Sequence, residues 1–266
     1  MYRAFYSLSS QPFGKDIRPE DHFNSACFTE ASARLKYLME TRGIGVLTGE
    51  AGSGKTFVLR SLAASLNASL YKLVYLPLST GTTMDMYRQL VQSLGDEPRY
   101  RKIDLFSQVQ QAILRFSQEK RITPVLMFDE MHAAQTDFLT DLTMITNFSM
   151  DSKNPFVLVL SGLPYLAVRL RMNHALPLAQ RVVMQYKMQP MNKDEVSQYI
   201  SHHMRLAGAA TPVFSEQAVE AIASHSGGWP RLVNNLARTS LLLGTQMRRN
   251  PVDAEVVRLA ADEVCV

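Results

Sequence analysis

The residues Gly49-Glu50-Ala51-Gly52-Ser53-Gly54-Lys55-Thr56 match the pattern G-x-x-x-x-G-K-[ST], a spacing suited to gripping a polyphosphate. Triphosphate oxygens need several converging N–H donors, and a glycine-rich backbone can curl closely enough to supply them. The helix expected from about Gly54 adds the positive end of its dipole. Lys55 brings a compact charge to the β- and γ-phosphates, and Thr56 offers its hydroxyl to a magnesium ion. A glycine-rich turn that merely joins strand to helix is the plain alternative. The complete motif, between an apolar run and a helical one, argues against it, so ATP with Mg2+ is the expected cofactor pair.

A second group of chemically able residues follows the apolar run Val125-Leu126-Met127-Phe128, which leads straight into Asp129-Glu130. Open α/β sheets bind ligands beyond the carboxyl ends of their strands. Asp129 is therefore the candidate to hold the magnesium ion, and Glu130 to orient and polarise an attacking water. An apolar strand that ends in two acids is often only a solvated strand end; its pairing with the phosphate loop gives it meaning. A glutamate after the aspartate favours ATP hydrolysis coupled to motion or assembly over simple kinase chemistry.

Three further positions are candidates. Ser161 precedes Gly162 at the end of another apolar run; in five-stranded ATPases of this plan a polar residue here can bond the γ-phosphate or the attacking water, although Ser-Gly is also ordinary turn chemistry. Arg181, in Leu178-Ala179-Gln180-Arg181, precedes the last expected strand, where oligomeric ATPases commonly carry a finger for a neighbouring subunit's γ-phosphate; arginine suits that work because it stays charged and binds phosphate in a fork. A surface arginine paired with a carboxylate is the alternative, and Arg169 and Arg171 compete for the role. Arg231, in Gly227-Gly228-Trp229-Pro230-Arg231, sits one residue inside a helix that Pro230 opens and can reach back over a nucleotide. Trp229, the one tryptophan, reads as a packing residue.

Regular elements must position these groups. Helical spacing is expected over Thr29–Glu40, Thr56–Leu66, Met84–Leu94 and Leu105–Gln118, and strands over Ile44–Thr48, Leu73–Leu76, Pro124–Phe128, Phe156–Ser161 and Val182–Met188. Strands that alternate with helices imply a parallel sheet with helices on both faces. From Asn192 the pattern is helical only: Lys193–Ala207, Ser215–Ser224, Pro230–Leu243 and Asp253–Glu263, punctuated by Gly208, Pro212, Gly227-Gly228 and Pro251. The expected plan is an N-terminal arm and helix (1–42), an α/β phosphate-loop core with a five-stranded parallel sheet (43–190), and a small all-helical lid (191–266).

Composition narrows the class. At 266 residues with 46% hydrophobic and 20% charged residues, the chain reads as globular, with no repeats or low-complexity stretches. Its longest apolar runs are too short to span a bilayer, and the N-terminus has no signal-peptide pattern, so a cytoplasmic location is expected. Cys27 and Cys265 have no paired spacing and suggest free thiols rather than a disulfide framework or zinc site. His202 and His203 would point about 100° apart on a helix and not share a metal. The net charge of +4 and pI near 9.1 are compatible with a nucleic-acid partner without requiring one.

The motifs together resemble the AAA+ family, and within it the ExeA-like group. The resemblance rests on Phe5-Tyr6-x-Leu8 with Pro12-Phe13, Leu47-Thr48-Gly49-Glu50, Ser161-Gly162-Leu163-Pro164, Leu178-Ala179-Gln180-Arg181 and Gly228-Trp229-Pro230-Arg231, and runs nearly end to end. It implies two roles. Longer members of the group serve secretion machinery and carry a membrane span and a wall-binding domain. Short members resemble the TnsC, TniB and IstB type of transposition ATPase, which assembles on DNA and engages a transposase. With neither a span nor a wall-binding domain in this sequence, the second role is expected: a homo-oligomer, ring or filament, on duplex DNA, with Arg181 acting in trans and Arg231 in cis. Arg99, Arg101 and Lys102 are the candidate phosphate contacts, with Thr82 and Thr83 as hydroxyl donors. A secretion- or envelope-associated ATPase that remodels a protein partner without DNA, and a scaffold that binds but barely hydrolyses nucleotide, are the alternatives. Glu130 and Thr56 argue against the last. The resemblance leaves Met1–Arg18 lining an adenine pocket or docking a partner.

Overall fold

The structure, a computed structural model, describes residues 2–14, 17–77, 81–148 and 154–264. Cys265 and, within the N-terminal arm, Met1, Lys15 and Asp16 lie outside the described residues. In chain order the elements are α1 (Tyr2–Phe5), α2 (Ala26–Thr41), β1 (Gly43–Thr48), α3 (Lys55–Ser65), β2 (Tyr71–Leu76), α4 (Thr83–Ser93), α5 (Lys102–Leu114), β3 (Thr123–Phe128), α6 (Thr136–Ile145), β4 (Val157–Gly162), α7 (Tyr165–Leu170), α8 (Leu176–Ala179) and β5 (Val182–Lys187), followed by α9 (Lys193–Leu206), α10 (Glu216–Ser226), α11 (Pro230–Gln246) and α12 (Ala254–Val264). The five strands form one parallel sheet in the order β2-β3-β4-β1-β5, the predicted α/β class. No helix among the described residues is long and apolar enough to cross a membrane.

By its contacts the chain divides into two units: Glu30–Ala51 with Lys55–Met188, and Met1–Thr29 with Gly52–Gly54 and Gln189–Val266. In the first, every residue of β1, β3 and β4 is buried, which is why these strands read as continuous apolar runs instead of alternating ones. Ile44, Val46, Leu126, Phe128, Leu158 and Leu160 share one core with Tyr87, Leu90, Val109, Phe138 and Leu142 from α4, α5 and α6. On the other face α2 packs so closely that a Cβ on Gly45 would overlap Leu38. The exposed edge of β5 is occupied by Arg34, which donates to Gln185 O (3.2 Å) and lies over the Tyr186 ring (5.0 Å), a way to blunt strand pairing with another chain.

The register sets the functional end of the sheet. Phe128 stands opposite Leu160, and Thr48 opposite Gly162. One residue beyond the β3–β4 pairing, Asp129 therefore stands level with Ser161, which still pairs with Leu47 of β1. Several expected helices differ at their ends: that from Thr29 begins at Ala26, that to Leu243 runs to Gln246, and Leu105–Gln118 divides into α5, which stops at Leu114, and a π turn over Arg115–Glu119. Arg115 is held there by both oxygens of Asp96 (3.0 Å each), and Lys120 N–H reaches back to Arg115 O (3.1 Å).

The second unit packs α9–α12 around Val196, Ile200, Val233, Leu236, Leu241 and Val257. Asn192 and Glu195 form a capping box at α9, and Gly227 ends α10 in the left-handed conformation. The N-terminal arm belongs to this core. Tyr6, Leu8 and Phe13 are buried in it, Tyr6 Oη donates to Arg249 O (2.9 Å), and Ser9 N donates to Ala207 O (2.8 Å). His203 lies between Phe13 and Tyr199, with ring centroids 5.2 and 4.2 Å away. Burial, with His202 adding to it, pushes its pKa down to about 4.

Candidate functional site

β1 ends at Thr48, the phosphate loop follows, and α3 begins at Lys55. Lys55 is buried, and its Nζ donates to Gly49 O (2.9 Å) and Glu50 O (3.0 Å). The charge is thereby held over the loop rather than in solvent. Gly52 and Gly54 both have positive φ (+80° and +95°), where a side chain would be strained. A Cβ on Gly52 would also collide with Arg231, whose N–H donates to Gly52 O (3.3 Å). Ser53 is buried with no hydrogen-bond partner for its Oγ among the described residues. A buried lysine, positive-φ glycines and an unanswered hydroxyl fit a polyphosphate.

Asp129 is the hub of the α/β unit's strand ends. It is buried, its Oδ2 accepts from Thr56 Oγ1 (2.8 Å) and Tyr75 Oη (3.2 Å), and its Oδ1 accepts from Glu130 N (3.0 Å). A hydroxyl and a carboxylate side by side are hard oxygen donors of the kind Mg2+ takes. Tyr75 is a residue that sequence reasoning missed. It sits at the end of the edge strand β2, opposite Met127, and its spacing is no different from that of any strand tyrosine. Burial first, then the Asp129 charge, push its pKa up to about 12, so it stays a proton donor to Asp129 at neutral pH.

Glu130 turns the chain from β3 into the short 3-10 turn Met131–Ala133 with φ 56° and ψ 31°. That left-handed conformation costs a non-glycine residue about 1–2 kcal/mol. Its half-exposed carboxylate lies 3.3 Å from His132 Nδ1 through Oε2. Arg169, a predicted competitor for the finger role, is buried and donates to His132 O (2.9 Å) and Met131 O (3.5 Å). It fastens the turn that carries Glu130 and is occupied within its own unit. Ser161 is fully buried, and its Oγ has no partner among the described residues. A buried hydroxyl without a partner is uncommon in native proteins, and this one stands level with Asp129.

Arg181 donates to Thr143 O (2.9 Å) and Thr146 Oγ1 (2.7 Å) at the end of α6, where a helix favours a cation. Of the nucleic-acid candidates, Arg99 and Arg101 are exposed. Lys102 Nζ lies 2.7 Å from the buried Asp141 Oδ2, an ion pair without aligned hydrogen-bond geometry. Thr82 closes a capping box with Asp85 at the start of α4, and Thr83 is that helix's first residue.

This fold and these strand-end groups define a P-loop ATPase of the AAA+ class. The AAA domain family matches residues 38–170, half of the chain, and the chain belongs to it. It is an ATPase, and its cofactors are ATP and Mg2+. It is 30% identical over 269 residues to general secretion pathway protein A of Aeromonas hydrophila, an alignment covering 99% of this chain and 48% of that protein. The chain thus spans about half the length of the curated relative it matches. Among solved structures it resembles Cdc6p from Pyrobaculum aerophilum, with a TM-score of 0.74, 17% identity and coverage of 95% of this chain and 70% of that one. It also resembles the Aeropyrum pernix ORC1 protein in complex with DNA, with a TM-score of 0.63, 17% identity and coverage of 99% and 69%. At these identities the likeness is one of fold.

Proposed function

We propose that this ATPase assembles on duplex DNA in its ATP-bound state, as a regulator of transposition that engages a transposase. The phosphate loop, Gly49 to Thr56, binds the polyphosphate, with Lys55 beside its β- and γ-phosphates. Thr56 and Asp129 would hold Mg2+, which would supply charge neutralisation to the polyphosphate. Tyr75 keeps Asp129 oriented. Glu130 accepts a proton from the attacking water, and Ser161 Oγ donates to the γ-phosphate or to that water. Arg231 serves the nucleotide of its own chain. Arg181 serves that of a neighbouring subunit, for which it must leave Thr143 and Thr146.

The observation that carries the DNA reading is the exposed loop of the α/β unit where Arg99 and Arg101 flank Tyr100 (88% exposed), followed by Ile103 (66%). Neither arginine makes an ion pair among the described residues. Cations with an exposed aromatic ring suit a phosphate backbone and a base face. The likeness to an ORC1 protein in complex with DNA supports the same reading. Lys102 and Thr82 already have internal partners and are the weaker contacts of the set. Sedimentation with ATP and a duplex should give particles several protomers in size. ADP or Arg181→Ala should leave them small, while fluorescent ATP-analogue affinity stays within about threefold of wild type. A monomer under every condition contradicts the proposal.

A second reading has its own support in the relationship to general secretion pathway protein A. On that reading the chain remodels a protein partner, and its assembly is indifferent to DNA.

A further inference from the structure

His132 is placed between two parts of the site, and its Nδ1 has two suitors. Glu130 Oε2 lies 3.3 Å away, and the backbone N–H of Leu163 approaches the same nitrogen at 3.4 Å. Leu163 follows Ser161-Gly162, the strand end whose buried hydroxyl lacks a partner among the described residues. The approach is built in. A Cβ on Gly162 would stand 3.0 Å from His132 N, so any larger residue would press the end of β4 away from the 3-10 turn by a few tenths of an ångström. The turn is pinned from its other side by buried Arg169, which donates to His132 O (2.9 Å). Glu130's backbone is pinned too, by its bond to Asp129 Oδ1 (3.0 Å) and by Ala133 N–H donating to Glu130 O (3.1 Å).

One ring nitrogen either accepts a hydrogen bond or donates one. When Leu163 N–H donates to Nδ1, the Nδ1 lone pair is taken, the ring proton is on Nε2, and Nδ1 has no hydrogen to offer the Glu130 carboxylate. The carboxylate is then released toward a water. When Nδ1 carries the proton, it donates to Glu130 and holds the carboxylate aside, and Leu163 N–H loses its acceptor. The two states are mutually exclusive, and a small shift of the β4 end selects between them.

We infer that His132 is a positioning residue that couples the end of β4 to Glu130, releasing the carboxylate when Leu163 N–H engages Nδ1 and restraining it otherwise. Contact of Ser161 with a phosphate is the event that would move Leu163. The inference rests on the reading of Glu130 as the general base.

The test has one arm without nucleotide and one with it. In 15N-histidine-labelled protein without nucleotide, Glu130→Gln should shift the His132 Nδ1 resonance and the Leu163 amide together, because it replaces one of the two competitors. In turnover assays, His132→Ala should lower kcat by about tenfold or more, as misplaced catalytic groups do. Its melting temperature and its affinity for a fluorescent ATP analogue should stay at wild-type values. His132→Gln offers an acceptor to Leu163 and a donor to Glu130 and should recover most of kcat. Unmoved resonances, wild-type kcat in His132→Ala, or a kcat loss matched by equal loss of nucleotide affinity would each overturn the coupling. Full turnover in Glu130→Gln would overturn the base assignment beneath it, a separate failure because His132 is intact in that variant.

Discussion

The two units bury polar groups in different ways. In the α/β unit Thr48, Asp129 and Ser161 are buried together at the carboxyl end of the sheet, with Asp129 shared among three donors and Ser161 Oγ without a partner among the described residues. In the helical unit His203 stacks on Phe13 of the arm and meets Tyr199 of α9 at a tilt, and Ser226 ties its own turn through Ala223 O and Gly228 N. Polar burial at strand ends keeps bonding capacity in reserve for a ligand. Among the helices His203 and Ser226 fasten the fold, while Ser240 Oγ is buried in α11 without a partner among the described residues. Substitutions in the first region should therefore alter chemistry at constant stability, and in the second stability at constant chemistry.

The largest expected effect is on turnover. Glu130→Gln should lower kcat by about 100-fold or more while melting temperature and nucleotide affinity hold; steady-state hydrolysis with a parallel thermal melt checks both. Leu236→Ala, at a position 1% exposed in the helical core, should cost about 2–5 kcal/mol. Denaturant unfolding followed through the single tryptophan, Trp229, would read it.

A third effect depends on pH. The His203 pKa is depressed from 6.5 to about 4, so between those values the unfolded chain binds the proton and the folded one does not. Stability from this residue is complete above pH 6.5 and declines as pH falls toward 4, by about 1.4 kcal/mol per pH unit. The helical unit should lose about 2–3 kcal/mol across that window, and His203→Gln should flatten the slope; an unchanged slope would show that His203 is not its source. The smallest effect is at the start of α4. Thr82→Ala removes a capping box and should cost about 1 kcal/mol, with duplex affinity unchanged if Thr82 serves the helix alone. A weaker salt slope in that variant would return Thr82 to the DNA surface.

What the sequence made legible follows from locality. The phosphate loop works through its own backbone, so eight consecutive residues declare it. Asp129-Glu130 and Ser161 are legible because each ends an apolar run, and parallel pairing then brings such ends level. Tyr75, His132 and Arg169 were not, because their partners are set by strand register and by the left-handed turn at Glu130. Helix positions followed from periodicity, but α5 ends where Arg115 meets Asp96, a contact across 19 residues that periodicity does not encode. Lys102 and Arg169 show the same limit. Their charge reads as available in sequence, while Asp141 and the backbone of the 3-10 turn engage them in the fold.

The central claim, ATP-dependent assembly on DNA, is tested most directly by fluorescence anisotropy of a labelled duplex titrated with protein in ATP, ADP and no nucleotide, each at two salt concentrations. The account predicts tight binding in ATP alone that weakens steeply with salt, and a shallower salt slope when Arg99 and Arg101 are neutralised. No binding in any nucleotide state, or binding indifferent to nucleotide, would contradict it.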